Sequence, residues 1–127
     1  MSQSRALALG PVDRIIKLIG ARIRELREEM GYSVAQLAAA IPAEHSTVNS
    51  IESGRHGVSL RTLIVIAGHL RCEESDLLTF PGVSIRHEIH DLTRNASRAA
   101  LLDIRAYAEQ RVKADMEQQP TRSRRNG

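Results

Sequence analysis

The densest group of chemically capable side chains lies in the run SIRHEIHDL, where His87, Glu88, His90 and Asp91 stand almost side by side. Two chemistries use such residues. Zinc held on one helix takes histidines at i and i+4, because about one turn returns both imidazoles to the same face, and it needs a further ligand. His87 and His90 are i and i+3, with no third ligand in sight. A phospho-accepting histidine kinase would need glycine-rich loops for ATP, and none follows. A solvated helix face is the better reading. Elsewhere His56, His69 and Glu52 fall on distinct helix faces, and no Ser/His/Asp order, paired carboxylates or phosphate loop is present. Cys72 is the only cysteine; it reads as a half-buried helix-end residue, and its isolation fits a reducing compartment. No catalytic residues, no metal and no cofactor are expected, so the chain reads as a protein that binds and not as an enzyme.

What it binds is suggested by a different stretch. Residues 33–54, SVAQLAAAIPAEHSTVNSIESG, have the spacing of two short helices joined by a tight turn, yet their only charges are Glu44 and Glu52. The chain as a whole is basic, with 18 Lys and Arg against 15 Asp and Glu, and part of that excess sits in the terminal TRSRRNG. This permits a polyanionic partner without demanding one. With 127 residues, one Phe, two Tyr and no Trp, the core must come from Ala, Leu, Ile and Val. Such a core suits closely packed short helices. The opening MSQSRALALGPVD lacks the apolar run of a signal peptide, and LIVIAGHL is too short to span a bilayer. A cytoplasmic protein is expected.

The elements follow from caps and periodicity. Residues 1–12 read as a flexible lead-in. Asp13 is placed to cap a first helix over 13–30, with Ile15, Ile19, Ile23, Leu26 and Met30 at helical spacing and Gly31 closing it. Gly20 inside it hints at close packing or a bend. Ser33 with Gln36 forms a capping box for the second helix, which Pro42 stops. The third runs over 44–53 with Val48 and Ile51 inward, ending at Gly54. Ser59 caps a fourth over 60–70, whose Leu60, Leu63, Ile66, Ala67 and Leu70 are apolar. A short fifth helix at 74–79 ends at Phe80-Pro81-Gly82. Beyond it, a stripe of Ile85, Ile89, Leu92 and Ala96 slips phase near Asn95–Ser97, and Leu101, Ile104, Ala108 and Val112 form a second. Two helices joined at a bend explain this better than one coiled coil. The expected organisation is an all-α domain at 13–80, a helical dimerisation or interaction segment at 84–116, and a disordered basic tail at 117–127.

Over residues 19–78 the chain resembles the Cro/repressor-type, or xenobiotic-response-element-type, helix-turn-helix regulators. The carriers are IRELRE, Gly31 then Ser33, Leu37-Ala38, the run STVNSIESG, and the Leu-rich fourth helix followed by DLL. The resemblance implies five helices with the third in the major groove of double-stranded DNA, and a homodimer on a palindromic site. It places His45, Ser46, Asn49 and Ser50 at base edges, and Asn is suited to pair bidentately with adenine. It implies phosphate contacts from Ser33, Thr47, Arg55, His56 and Arg61, with Arg22 or Arg24 on the first helix, and helix N-termini can add backbone N–H groups. It also implies an ion pair between Arg27 and Glu52 that orients the third helix.

The expected function is therefore a sequence-specific transcriptional regulator, a homodimeric repressor in a bacterial, phage or mobile-element setting. Its dimer contacts would come from Ile85, Ile89, Leu92, Leu101, Ile104 and Ala108. Three departures from the family pattern support a rival: Val34 replaces the usual phosphate-gripping Gln, Pro42 the turn Gly, and Glu44 the small polar cap. In that rival the chain is an antitoxin-like or anti-activator adaptor that binds a protein or peptide, the C-terminal helices being one surface for it.

Overall fold

Seven helices account for all regular structure among the described residues of the computed structural model, which are 10–41 and 45–119, with backbone alone at 45 and 46. They are α1 Pro11–Glu29, α2 Val34–Ala40, α3 His45–Glu52, α4 Leu60–His69, α5 Glu74–Leu77, α6 Ile85–Thr93 and α7 Arg98–Gln118. The chain divides into two units between Asp91 and Leu92.

Local chemistry sets most boundaries. Helix α1 starts earlier than Asp13, because Pro11 occupies its first turn behind Gly10 as N-cap. Proline there loses no helical hydrogen bond and brings its φ already fixed. Asp13 sits in the first turn, where its charge faces the positive end of the helix dipole. The expected lead-in is thus helical from Pro11, while its residues 1–9 lie outside the described residues, as do Pro42 and Glu44. At α2 the capping box is complete: Ser33 Oγ accepts the Gln36 N–H at 3.1 Å and Gln36 Oε1 accepts the Ser33 N–H at 2.7 Å. Ser59 and Ser97 cap α4 and α7 with the serine half of this arrangement, accepting the N–H groups of Thr62 and Ala100. Gly31 and Gly54 close α1 and α3 with φ of +76° and +78°, a left-handed turn that glycine enters without a Cβ penalty.

The core is the inward face of α1 to α5: Ile23, Leu26, Leu37, Ala38, Ile41, Val48, Ile51, Leu63, Ile66, Ala67, Leu70 and Leu77. Val34 at the head of α2 packs against it, so the residue that departs from the family pattern serves packing. Two residues assigned inward by periodicity are not. Leu60 is 71% exposed at the start of α4 and Met30 is exposed at the C-cap of α1. At helix ends there is no neighbouring turn to hold such a side chain against the core.

The run at 87–91 is not a solvated face. Phe80 N–H donates to His87 Nδ1 at 2.7 Å and the two rings stack at 5.5 Å. His90 Nε2 meets Asp76 Oδ1 at 2.8 Å, and the other oxygen of Asp76 accepts the Glu73 N–H at 2.8 Å. Asp91 pairs with Arg22, which is 3% exposed and also reaches Glu25 and, through Nε at 3.1 Å, the Asp76 carbonyl. These polar contacts lock α6 to α1 and α5, while its apolar Ile85 and Ile89 remain exposed.

The tightest joint is between α1 and α3. A Cβ on Gly20 would lie 2.1 Å from the Ile51 carbonyl oxygen and 2.8 Å from that of Glu52. The obstacle is backbone, so it cannot be relieved by a rotamer change. Gly20→Ala gains up to ~1 kcal/mol of helix propensity but must push α3 away, a cost of the overpacking kind that runs to ~1–3 kcal/mol and more when backbone moves. We expect a fall in Tm of several degrees by circular dichroism; an unchanged or raised Tm would refute the close crossing.

Candidate nucleic-acid interface

The orientation of α3 rests on one guanidinium. Arg27 Nε donates to Glu52 Oε2 at 2.7 Å and Nη2 to Oε1 at 3.0 Å, a two-pronged pair, while Nη1 donates to the Tyr32 carbonyl at 2.7 Å. In return the Arg27 carbonyl accepts the Tyr32 N–H at 3.1 Å. Both side chains of the pair are almost fully enclosed, with 10% and 7% exposure. The hydrogen bond to Glu52 raises the Arg27 pKa above its ordinary value, against the opposing effect of burial. The fork geometry matters, since a planar guanidinium can hold both carboxylate oxygens and a third acceptor in one plane. Glu52 is thereby neutralised and taken off the outward face of α3.

Asn49 and Thr47 are both exposed, on two different sides of α3, since residues two apart are about 200° apart around a helix. His45 and Ser46 form the first turn of α3, and their side chains lie outside the described residues. Ser50, expected at a base edge, is buried at 8% exposure. Helical phase does not place it there, since it stands about 100° from Ile51 and about 200° from Val48 around α3; the chain that follows α3 turns back upon it. Its carbonyl accepts the N–H groups of Arg55 and His56 at 2.9 and 3.2 Å and the Ser53 hydroxyl at 3.1 Å. Ser50 therefore shapes the turn that carries Arg55 and His56 and does not present itself to a ligand.

Of the residues expected at the rim, Arg55, His56 and Arg61 are exposed on the α3–α4 turn and the start of α4. Arg24 is exposed and pairs with Glu28 at 2.7 Å. Arg22 does not belong to the rim, because it is buried and engaged by Glu25, Asp91 and the Asp76 carbonyl. In its place the structure brings up Lys17. A Cβ at Gly54 would lie 2.6 Å from Lys17 Cγ and 2.9 Å from its Cα, so the Lys17 stem runs over the end of α3 beside Arg55. The sequence carried a faint sign of this: Lys17 and Gly20 are i and i+3, one face of α1, and that face meets α3. Among the described residues no group of three or more His, Cys, Asp or Glu is placed to hold a metal ion, and no helix is long and apolar enough to cross a membrane.

A short capped helix, a turn, and a second helix pinned by a buried pair and leaving a polar face outward define a helix-turn-helix domain. Residues 18–80 match the family described as the helix-turn-helix domain, and the chain belongs to that family. Among solved structures it is similar to a chain of the SinR protein/SinI protein complex, at 25% identity and a TM-score of 0.52, over 75% of this chain and 98% of that one. It is also similar to the restriction-modification controller protein C.AhdI from Aeromonas hydrophila, at 34% identity and a TM-score of 0.47, over 49% of this chain and 94% of that one. No curated protein matches the chain.

Removing Arg27 leaves an enclosed carboxylate and a carbonyl without their donor. Arg27→Ala should cost ~3–5 kcal/mol in chemical denaturation. Arg27→Leu combined with Glu52→Leu should cost much less than Arg27→Ala alone, since no charge is then stranded. Equal losses in both variants would show that packing, and not the ion pair, dominates at this joint.

Proposed function

We propose that the chain is a sequence-specific DNA-binding transcriptional regulator, a homodimeric repressor that reads an inverted repeat with α3. The observation that carries this reading is the way α3 is mounted. One side is clamped by Arg27 and by the Gly20 crossing, and Asn49 and Thr47, neither charged, are left exposed to either side of what remains. Asn49, with His45 and Ser46 by position, takes the base edges; Thr47, Ser33, Arg55, His56, Arg61, Arg24 and Lys17 take phosphates. Likeness to a restriction-modification controller and to a chain of the SinR/SinI complex supports both a regulatory role and a protein partner for regulation. The dimer contacts proposed at Ile85, Ile89, Leu92, Leu101, Ile104 and Ala108 are supported by the exposure of all six in the single chain. The proposed setting is the cytoplasm of a bacterium, or of a cell carrying a phage or mobile element.

The test is to capture sheared genomic DNA on the purified protein and sequence what is retained. An enriched inverted repeat supports the reading; uniform retention, or none, overturns it. On the site so found, Asn49→Ala should lose ~1–3 kcal/mol and relax the preference at one base position. Lys17→Ala should instead weaken binding to all sequences alike and lower the salt slope by about 1. A sequence-dependent loss for Lys17→Ala would remove it from the phosphate set.

A further inference from the structure

Helix α7 carries Ile104, Ala108, Val112 and Met116 at intervals of four, all of them exposed. Residues so spaced form one continuous ridge on a helix surface. The ridge and its flanks are symmetrical about Gln110. Ile104 and Met116 are equidistant from it, as are Ala108 and Val112, so each apolar position has an apolar counterpart. The flanking charges are antisymmetrical: Arg105 is equidistant with Asp115, and Glu109 with Arg111. A twofold axis that reverses the helix brings Arg105 and Arg111 to the level of Asp115 and Glu109, with Lys113 opposite Tyr107 and only the outermost pair, Asp103 and Glu117, alike in sign. Parallel pairing in register sets every charge beside its own like.

We propose that α7 pairs antiparallel with α7 of a second copy of this chain, the two ridges crossing at Ala108 and Val112. This rests on the homodimer reading above and adds the element, its orientation and its register. Two ridges of spacing four interlock at a crossing of about 50°, and the small side chain of Ala108 at the crossing lets the helices approach. Within one α7 the charges hold each other weakly. Arg105 Nε and Glu109 Oε1 are 3.6 Å apart, Arg111 Nη2 and Asp115 Oδ1 are 3.8 Å apart, and all four side chains are well exposed. Such surface pairs contribute little by themselves, so exchanging them for contacts across the axis costs little.

The experiment uses the full chain as two single variants, Ile104→Cys and Met116→Cys, distinguished by a mass label. Cys72 is retained and the disulfides are mapped by mass spectrometry. After mild oxidation the mixture should give at least about ten times more 104–116 bond between chains than either variant alone gives of its like-with-like bond. Predominant 104–104 or 116–116 bonds would mean parallel pairing and overturn the proposal. No bond at either position, in a chain that light scattering shows to be dimeric, would overturn it while leaving the homodimer standing. A monomer throughout would overturn both. Reversing flanks gives an independent check: Arg105→Glu with Arg111→Glu should abolish the dimer, and mixing it with Glu109→Lys/Asp115→Lys should restore it. A dimer that survives in the first of these alone counts against the assignment.

Discussion

Arg27 holds three parts of the domain at once. Its side chain leaves the last turn of α1, grips the carboxylate at the end of α3 with two nitrogens, and donates the third to the carbonyl of Tyr32, where the chain turns toward α2. Lysine could neutralise Glu52 but not satisfy three acceptors in fixed directions. Because Tyr32 immediately precedes the Ser33 cap, the same cation sets where α2 begins and how α3 lies against it. The helix-turn-helix pair is thus referenced to α1, not only to itself.

This arrangement removes one objection to the proposal that a stretch bearing only negative charge serves as a reading element. Glu52 is cancelled inside the domain before any ligand arrives. In the proposed reading the outward residues of α3 are uncharged and polar, fit for hydrogen bonds to bases, and the positive charge is supplied by Lys17, Arg24, Arg55 and Arg61 outside the helix. A division of this kind assigns long-range attraction to the rim and discrimination to the helix.

Much of this was legible in the residues. The caps at Ser33 and Ser59, the closing glycines at 31 and 54, the break near residues 95–97 and nearly all core positions follow from local rules acting on one element at a time. What could not be read depended on two elements meeting. Arg22 looks like any helix-surface cation until Asp91 and the Asp76 carbonyl close over it. The 87–91 run looks solvated until His87 finds the Phe80 amide and His90 finds Asp76. Ser50 follows the serine–asparagine pattern of a reading face, but the turn after α3 folds back on it, with Ser53, Arg55 and His56 all donating to its carbonyl, and it is buried. Pro11 differs from these: its role as a helix opener is local, but no apolar period runs through the residues before it to show where the helix begins.

The contact at Gly20 also has a mechanical meaning. Where two helices meet through side chains, rotamer changes let one roll on the other by small amounts. Here main chain bears on main chain, and no such compliance exists at the joint. Helix α3 is therefore tied to α1, and if it is the reading helix proposed above it would meet a groove with its angle already decided. Sequences whose groove would need that helix to tilt must instead deform the DNA, so base steps that are never touched acquire a voice in which sites are chosen.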